Sequence, residues 1–526
     1  MLYPLSYEAK KRLIGYLVFF LWDFVSKRSM VEVEKSRIEV KMARILILGA
    51  GVAGHTAALH AKRLLGKHEV TVVSPNSQWN WIPSNIWVGV GKMRKEQVIF
   101  PLAPIYKRKK INYHQAKAVA IWPEGDEADA SGAVDVVYTG QGKVGQTERL
   151  RYDFLVNATG PQLKFDLTPG LGPEGNSLSV CTYSHATEAA EKLHEAIEKM
   201  RAGQKQTLVV GMGHGACTCE GAAFEYVFNV DHELREAGVR EMATVIYLTN
   251  ETALGDFGVG GMTFKTKQGD VTSEQWMTGM FQDKDIKVID SAHVTKVDPG
   301  LVHYEQLDGT VGSQAFDFAM LLPPFRGVDL KAFSKDGSDI TSEVFAANGF
   351  MKVDADYSVK PYEQWSHEDW PKTYESPSYS NVFAVGIAFA PPHAISKPNT
   401  TPTGNPVSPA PPRTGMPAGV QGRLAAETIA DRIKSGNWSL PARKASMADM
   451  GAACIASVGA GMLNGAAATI TMSPIVPNYA NFPETGRDPV TTTGELGLAG
   501  HWIKRLLHTM FIYKAKALPG WSKIPE

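Results

Sequence analysis

The sequence has few cysteines, no excess of charge and no long apolar run, and each of these absences excludes a class of protein. Four cysteines in 526 residues cannot form the dense disulfide framework of a small secreted domain. Cys217 and Cys219 are close in sequence, but no second close pair of cysteines or histidines accompanies them, so we predict no metal site. Basic and acidic residues balance at 54 each, which argues against nucleic acid as a partner.

No run of 18 apolar residues long enough to cross a bilayer is present. The apolar run at 13–22 is short, follows a basic stretch at 10–12 and lacks the small-residue cleavage site of a signal peptide. We therefore interpret residues 1–41 as an N-terminal extension, either a membrane-surface helix or a dispensable segment. The pattern typical of a folded domain begins at Met42.

Glycine is abundant, and its first cluster has the spacing of a dinucleotide-binding turn. A short apolar strand at 44–48 leads into the sequence GAGVAG, and a helical pattern and a second strand follow. Gly49 makes the tight turn, Gly51 lets the backbone approach a pyrophosphate, and Gly54 lets the helix pack on the strand. The helix begins with Val52 and Ala53, so its N-terminus is expected to face the phosphates.

Later strands favour FAD over a simple NAD-binding domain. An acidic residue usually ends the second strand and binds the adenosine ribose, but Ser74 stands there, and its hydroxyl offers a weaker hydrogen bond. A strand near 152–157 leads to Thr159 and Gly160, and another near 381–385 ends at Gly386. In two-domain flavoproteins, such strands return the chain to the flavin domain.

A second glycine turn follows a strand at 207–210, and cysteines interrupt it. Ala216 stands where the third glycine is usual, and Cys217-Thr-Cys219 follows directly, which disfavours NAD(P)H binding. The two turns predict an α/β fold with two Rossmann-like domains, the second inserted in the first. The expected boundaries are 42–165 with 346–440 for the FAD-binding domain, 166–345 for the second Rossmann-like domain, and 441–526 for a C-terminal region.

A proline-rich loop at 391–417 precedes the last helix of the FAD-binding domain. Proline removes backbone donors and stiffens the chain, so this loop is not expected in the core. The helix predicted at 416–433 follows Thr414 and Gly415, and its positive end is expected to face the flavin pyrimidine edge. An ordinary linker and core helix is the alternative.

The C-terminal helix predicted near residue 500 is amphipathic. Its apolar residues fall largely on one face, with basic residues largely opposite: Trp502, Ile503, Leu506, Leu507, Met510, Phe511 and Tyr513 against Lys504, Arg505 and His508. A basic amphipathic helix with Trp and Tyr suits a membrane interface, so we expect a peripheral or monotopic membrane protein. A soluble dimer interface is the alternative, and the sequence leaves a homo-oligomer open.

The residues around three separated cysteines resemble the sulfide:quinone oxidoreductase family over residues 43–526. Cys181 has a histidine four residues on, Cys219 has a glutamate six residues on, and Cys454 begins a third matching segment. The segment 82–89, with Pro83, Ser84 and Asn85, resembles the family's loop after the second strand and is expected to contact the cofactor.

The resemblance implies site residues and an activity. It implies that Cys219 and Cys454 are the redox pair flanking FAD, that Cys181 is the third cysteine, and that Glu225 and His185 are acid–base residues. The activity implied is oxidation of sulfide to zero-valent sulfur or polysulfide, with electrons passing to a membrane quinone. The domain at 166–345 would then carry redox cysteines, and the region at 441–526 would interact with the quinone and the membrane.

The chemistry of sulfur transfer is consistent with a cysteine site. A thiolate is both nucleophile and leaving group, and a persulfide holds sulfur while electrons leave. We expect the helix N-terminus near Cys219 to favour its thiolate. Phe389, Phe511 and Lys514 are the candidates for binding the quinone.

Two features depart from the family pattern, and two other functions stay open. Asp256 stands where the family has a histidine, and Cys217 is an additional cysteine without an assigned role. A type-2 NADH:quinone dehydrogenase is the alternative enzyme. A flavin-holding module on a membrane surface is the alternative without catalysis.

Overall fold

The computed structural model describes residues 42–140, 142–413, 415–459, 461 and 465–526. The predicted N-terminal extension at 1–41 and the predicted cofactor residue Thr414 lie outside the described residues. Residues 42–526 form one compact unit.

The strands, in chain order, are β1 Arg44–Leu48, β2 Glu69–Val73, β3 Gln78–Asn80, β4 Ile99–Pro101, β5 Asn112–His114, β6 Ala116–Trp122, β7 Ala133–Tyr138, β8 Thr147–Arg151, β9 Phe154–Asn157, β10 Pro161–Leu163, β11 Gln206–Met212, β12 Ala243–Leu248, β13 Thr263–Thr266, β14 Gly269–Thr272, β15 Ile286–Ile289, β16 Ala292–Asp298, β17 Leu301–Gln306, β18 Val311–Ala315, β19 Phe318–Leu322, β20 Phe325–Gly327, β21 Lys331–Ala332, β22 Val382–Ala384, β23 Asn399–Thr400, β24 Pro406–Val407, β25 Ala452–Val458, β26 Ala466–Met472 and β27 Thr493–Gly497.

The α-helices are α1 Val52–Leu64, α2 Asn85–Gly89, α3 Leu102–Lys109, α4 Tyr183–Arg201, α5 Glu220–Glu236, α6 Ser273–Asp283, α7 Thr341–Val344, α8 Gly415–Ser435 and α9 Leu498–Ala515.

The first glycine turn joins a five-stranded sheet to helix α1. The strand order is β22-β9-β1-β2-β5, and every pair in it is parallel. The central strands are short apolar runs that are buried, as strands covered on both faces of an α/β sheet are. β1 starts and ends where the sequence predicts. α1 lies one residue before the helix predicted at 53–65, and β2 ends one residue before the strand predicted at 69–74.

The second glycine turn follows β11 in a separate parallel sheet of order β15-β12-β11-β19. Strands of the first sheet come from both before and after this segment, so the second βαβ unit interrupts the first in sequence. The predicted mixed α/β fold with two Rossmann-like units is confirmed. The exact domain boundaries stay predictions.

The C-terminal region adds an antiparallel sheet of order β25-β26-β27. Helix α5, which follows the second glycine turn, packs against β25, and helix α9 packs against β25 and β26. This sheet therefore joins the cysteine-bearing turn to the amphipathic C-terminal helix. In the part of the chain that the structure describes, no helix is both long and apolar enough to cross a membrane.

Candidate active site

The first glycine turn is closed toward the sheet and open on its outer side. A Cβ at Gly49, where φ is 96°, would lie 2.1 Å from the carbonyl oxygen of Ala158, and one at Gly54 would lie 2.2 Å from that of Gly49. A Cβ at Gly51 would meet no atom within 4 Å. No side chain caps the N-terminus of α1, which begins there. This arrangement fits a dinucleotide pyrophosphate, which needs close backbone approach and free amide groups.

Two further glycines predicted to contact the cofactor also have open space beside them. Gly160, with φ of 72°, and Gly415, at the start of α8, would each accept a Cβ without contact. Gly386 differs, because a Cβ there would lie 2.9 Å from the Cβ of Ala53. Because it has no side chain, Gly386 lets α1 pack closely on the segment before α8. The Gly386 amide donates a hydrogen bond to the Gln421 side chain at 2.8 Å.

The polar residues predicted beside the cofactor take local partners. Ser74 is buried, and its hydroxyl accepts a 3.4 Å hydrogen bond from the amide of Asn76. The hydroxyl of Thr159 donates to the side-chain oxygen of Asn157 at 2.8 Å. Both hydroxyls follow strands of the first sheet, at the edge where the glycine turn lies.

The loop at 82–89 links this turn to the other parts of the site. The Ser84 hydroxyl is hydrogen-bonded to the His508 ring of α9 at 2.9 Å, and Asn85 donates to the carbonyl of Val180 at 3.2 Å. Val180 precedes Cys181, so the loop contacts both the first cysteine segment and the C-terminal helix. Pro83 is exposed.

The second glycine turn is filled by protein atoms. A Cβ at Gly213 would lie 2.4 Å from the Leu171 side chain, and one at Gly215 would lie 1.6 Å from the Pro406 carbonyl oxygen. Ser408 and Ala410 donate backbone hydrogen bonds of 2.8 Å to the carbonyls of Gly215 and Cys217. The proline-rich loop thus lies directly on the turn. From the sequence, the cysteines alone were expected to exclude NAD(P)H from the second turn, and the covering of the turn by the proline-rich loop was not predicted.

Cys219 and Cys454 both lie at the N-terminal end of α5. Cys219 is the N-cap residue of that helix and has left-handed backbone angles, φ 76° and ψ 36°. Cys454 lies on β25, and its Sγ would be 2.9 Å from a Cβ at Gly221 in the first turn of α5. Glycine at 221 therefore leaves room for the Cys454 thiol. All four cysteines are free thiols in the structure.

The other two cysteines have different surroundings. The Cys181 thiol is close enough to Cys219 to contribute to raising its pKa, which places a third sulfur at the same helix end. Cys217 is fully buried, and its thiol donates to the Leu322 carbonyl at 3.1 Å. Cys217 thus fills a structural position between the turn and β19.

The expected thiolate at Cys219 is wrong for this resting structure. Burial raises the pKa of Cys219 to about 12, and the pKa values of Cys181 and Cys454 to about 11. Desolvation of the charged form outweighs the favourable helix N-terminus. The sequence analysis also missed Arg413, whose buried charge acts to lower the pKa of Cys219.

Arg413 is held by backbone and aromatic groups. It donates to the carbonyls of Ile387 and Phe389 at 2.8 and 2.6 Å, and it lies 4.3 Å above the Phe350 ring. Burial lowers its pKa to about 10. It follows the proline-rich loop, so its position depends on how that loop folds back.

Glu225 forms a buried ion pair with Lys504. The Lys504 ammonium donates short hydrogen bonds to both carboxylate oxygens and a 3.0 Å bond to the Ile455 carbonyl, while the Ser457 amide donates to Glu225 at 3.2 Å. The prediction that Lys504 lies on an exposed polar face of α9 is wrong, because it is 8% exposed. The buried carboxylate requires a cation, and Lys504 is the residue that reaches it.

His185 lies in the first turn of α4, where its amide donates to the Thr182 hydroxyl at 3.1 Å. Its ring meets Phe165 edge-on at 5.9 Å, and burial lowers its pKa. Its Nδ1 is buried without a hydrogen-bond partner among the described residues. The ring is therefore neutral at rest and retains an unused polar atom.

The three residues predicted to bind quinone have separate surroundings. Phe389 is fully buried and meets Tyr374 edge-on at 5.2 Å. Phe511 stacks on Trp81 at 4.9 Å. Lys514 is buried and pairs with the Glu526 carboxylate at 2.7 Å. Their part in quinone binding stays a prediction.

Comparisons with known proteins agree with this architecture. The family described as pyridine nucleotide-disulphide oxidoreductase matches residues 43–258. The sulfide-quinone reductase of Aquifex aeolicus (strain VF5) is 26% identical over 472 residues, covering 90% of this chain and 91% of that protein.

Solved structures give the same result. The X-ray structure of the sulfide:quinone oxidoreductase from Aquifex aeolicus superposes with a TM-score of 0.69 at 25% identity, covering 90% of this chain and 92% of that chain. NDH2 from Plasmodium falciparum, solved with NADH, covers 90% of this chain and 96% of its own at a TM-score of 0.58 and 13% identity, a likeness of fold alone. The predicted resemblance is therefore confirmed: over almost all of its described length, the chain is similar in sequence and fold to a sulfide:quinone oxidoreductase.

Proposed function

We propose that the protein is an FAD-dependent sulfide:quinone oxidoreductase. The observation that carries this proposal is the position of both Cys219 and Cys454 at the start of α5, with Cys181 close by. A bare dinucleotide site has no use for three sulfurs at one helix end. Sulfide oxidation needs several cysteine sulfurs at one site, because the substrate sulfur must be held covalently while two electrons leave.

FAD is the cofactor of this proposal, held at the open first turn. Gly49 and Gly54 close the turn against the sheet, Gly51 and Gly160 leave room for the pyrophosphate, and the α1 N-terminus supplies amide donors. When bound there, FAD supplies a two-electron acceptor that can pass the electrons to a quinone. Thr414 and Gly415, at the start of α8, are proposed to lie at its pyrimidine edge.

The residues of the chain provide the sulfur chemistry. Hydrosulfide carries one proton and becomes zero-valent sulfur after giving up two electrons, so one proton is released for each sulfide oxidised. Cys219 and Cys454 hold the sulfur atom, and the buried cation of Arg413 stabilises negative charge on Cys219. Glu225, paired with Lys504, and His185 are the proposed acid–base residues.

We further propose that the protein lies on a membrane surface, where a lipid-soluble quinone collects the electrons. Leu506 and Tyr513 of α9 are 51% and 37% exposed, although the helix packs on β25 and β26 through its other side. An exposed apolar strip on a packed helix suits peripheral attachment. Phe389, Phe511 and Lys514 remain the proposed quinone contacts.

A type-2 NADH:quinone dehydrogenase is disfavoured by the second glycine turn. Leu171 and Pro406 occupy the space that a nicotinamide dinucleotide would need beside Gly213 and Gly215. Sulfide must therefore reduce the protein and NADH must not. The test is anaerobic bleaching of the visible flavin band by each donor, followed by sulfide-dependent reduction of a soluble quinone analogue.

Cysteine variants complete the test. Cys219→Ser and Cys454→Ser should each lower sulfide-dependent quinone reduction by about 1000-fold or more while FAD remains bound. Cys217→Ala is the matched control and should keep its activity, because that thiol only bonds the Leu322 carbonyl. Bleaching by NADH but not by sulfide would overturn the proposal. Quinone reduction from neither donor would favour a flavin-holding module.

A further inference from the structure

Glu220 is a buried acid beside the reactive cysteine, and the proposed function gives it no role. It follows Cys219 directly as the first residue of α5 and is 1% exposed. Neither of its carboxyl oxygens has a hydrogen-bond partner among the described residues. An unpaired carboxylate in such a place is costly, so the group is held protonated; burial, with the nearby Glu251 charge, raises its pKa well above the usual range.

Glu251 lies just beyond β12, close enough to Glu220 for the two carboxyls to interact. It is also 1% exposed, and it accepts 2.9 Å hydrogen bonds from the Phe257 amide and the Thr249 hydroxyl. Burial raises its pKa to about 7. Glu251 can therefore both take and release a proton near neutral pH.

Asp256 is the third carboxyl and the one nearest the surface. It is partly buried, accepts a 3.0 Å hydrogen bond from the Gly258 amide and a short one from the Ser396 hydroxyl, and lies next to Phe257, whose amide binds Glu251. Burial raises its pKa. The nearby Gly260 is exposed, so this end of the cluster reaches solvent.

Charged and titratable groups face these carboxyls from several elements. Arg487, from the C-terminal region, lies near Asp256 but gives its hydrogen bonds to backbone carbonyls, including Val259 and Gly261 at 2.6 and 2.7 Å. Tyr247 of β12 and the thiols of Cys217 and Cys219 lie beside Glu220, and Tyr362 lies beside Asp256.

Asn250 offers Glu220 a partner. Its side-chain nitrogen donates to the carbonyls of Gly215 and Cys217 at 3.1 and 3.3 Å, which aims the amide at the turn. Its side-chain oxygen is buried without a partner among the described residues. A protonated Glu220 can donate to that oxygen, and the two lie close enough to interact.

We propose that Glu220, Glu251 and Asp256 form a proton path from the sulfur at Cys219 to the protein surface. The inference rests on the proposed function, in which each hydrosulfide releases one proton while its two electrons go to the quinone. Glu220 passes its own proton to Glu251 as it takes the one from sulfur. Glu251 then passes a proton to Asp256, which releases it to water, so charge and protons balance.

Glu225, a proposed acid–base residue, is a less direct acceptor for the proton released at Cys219. Glu225 lies further along the same helix, but both of its oxygens already accept hydrogen bonds from the Lys504 ammonium. Burial raises the pKa of Glu225 despite the Lys504 charge, but its protonation still requires that this ion pair be given up. Glu220, in contrast, has no hydrogen-bonded cation among the described residues, so a change in its protonation breaks no ion pair.

The first experiment measures protonation in the resting holoenzyme, without sulfide. Infrared difference spectra across pH 5 to 9 should show carboxylic acid carbonyl bands from the buried groups. Glu220→Gln should remove the band that persists at high pH, and Glu251→Gln should remove one that titrates near pH 7. Glu236→Gln, at the exposed end of α5, is the control and should remove neither. Spectra of both variants that match the parent would overturn the path.

The second experiment follows the visible flavin band by stopped flow after a sulfide pulse, in the absence of oxygen, because reduction of the flavin takes up a proton and cancels any net release to the solution. Glu220→Gln should slow sulfide-dependent flavin bleaching at least tenfold, while Glu220→Asp should restore part of the rate. Equal rates in Glu220→Gln and the parent protein at every pH would overturn the path. If sulfide fails to bleach the parent protein, the proposed function fails, whereas the infrared titration still decides whether the carboxyls share protons.

Discussion

The two glycine turns have the same local pattern and opposite surroundings. Both follow the central strand of a parallel sheet and lead into a helix that no side chain caps. At the first turn, a Cβ on Gly51 would meet no atom within 4 Å, whereas at the second, one on the equivalent Gly213 would lie 2.4 Å from the Leu171 side chain. One turn keeps space for a cofactor, and the other is filled by the chain itself.

The difference shows that a turn of the dinucleotide-binding type can position a helix N-terminus without leaving room for a dinucleotide. Helix α5 still presents its N-terminus, but a cysteine and a buried glutamate stand there in place of a phosphate. The thiols are protonated at rest because burial raises their pKa values. In our proposal, the second unit therefore holds sulfur and protons, and the first holds the cofactor.

The largest expected effect tests the open turn. Gly51→Val should lower the affinity for FAD about 1000-fold, or about 4 kcal/mol, because the new side chain enters the space of the pyrophosphate. It should leave the melting temperature of the apoprotein nearly unchanged, since a Cβ at this position would have no protein atom within 4 Å. Fluorescence titration with FAD measures the affinity. Gly279→Val, at another open glycine on α6, is the control and should bind FAD normally; equal affinities would contradict the first turn as the cofactor site.

The next effect concerns the buried acid behind the filled turn. The pKa of Glu251 is raised to about 7 in the folded chain, so folding becomes less favourable as pH rises from about 4.5 to 7 and stays so above. Glu251→Gln should therefore stabilise the protein little at pH 5 and by roughly 3 kcal/mol at pH 8, at about 1.4 kcal/mol per pKa unit. Denaturant midpoints at the two pH values measure this, with Glu236→Gln as the exposed control. A gain independent of pH would contradict the raised pKa.

A smaller effect tests whether the second turn is filled. Gly215→Ala should lower the free energy of unfolding by about 2 kcal/mol, because its Cβ would force the proline-rich loop away. The affinity for FAD should not change, in contrast to Gly51→Val. Urea unfolding and FAD titration on the same sample separate the two outcomes. A stable Gly215→Ala protein with weakened FAD binding would reverse the roles of the turns.

The smallest expected effect concerns backbone strain at the start of α5. Cys219 has φ of 76°, a left-handed conformation that costs a non-glycine residue about 1 kcal/mol. Cys219→Gly should therefore raise the melting temperature slightly while abolishing sulfide oxidation. Cys219→Ala, which also lacks the thiol but keeps the strain, is the matched control. A lower melting temperature for the glycine variant than for the alanine variant would contradict the strain.

Much of the fold was predictable because its signals are local. A buried parallel strand shows as a short apolar run, and glycine spacing marks the turn that follows, so β1 and α1 lie within a residue of their predicted bounds. The order of Cys181, Cys219 and Cys454 likewise pointed to the site, because each stands in a recognisable segment. The amphipathic helix α9 was also expected, although one of its basic residues was placed on the wrong face.

Lys504 shows why faces of a helix are harder to predict than the helix. Its charge suggested exposure, yet it lies inward because Glu225, on a distant helix, is buried and needs a cation. Nothing near Lys504 in the sequence signals that partner. The same holds for Arg413, which gains its place beside Cys219 only when the proline-rich loop folds back.

The sequence by itself determined the two βαβ units and the glycine spacing of the first turn. It also indicated which three cysteines belong to the site, because each of these features depends on residues close together in the chain. Only the tertiary structure decided which turn is filled, which glutamate is paired and which is left with its proton. Those outcomes depend on burial and on contacts between residues hundreds of positions apart, such as Glu225 with Lys504. Burial sets the pKa of a thiol or a carboxyl, and it exists only once the chain has folded.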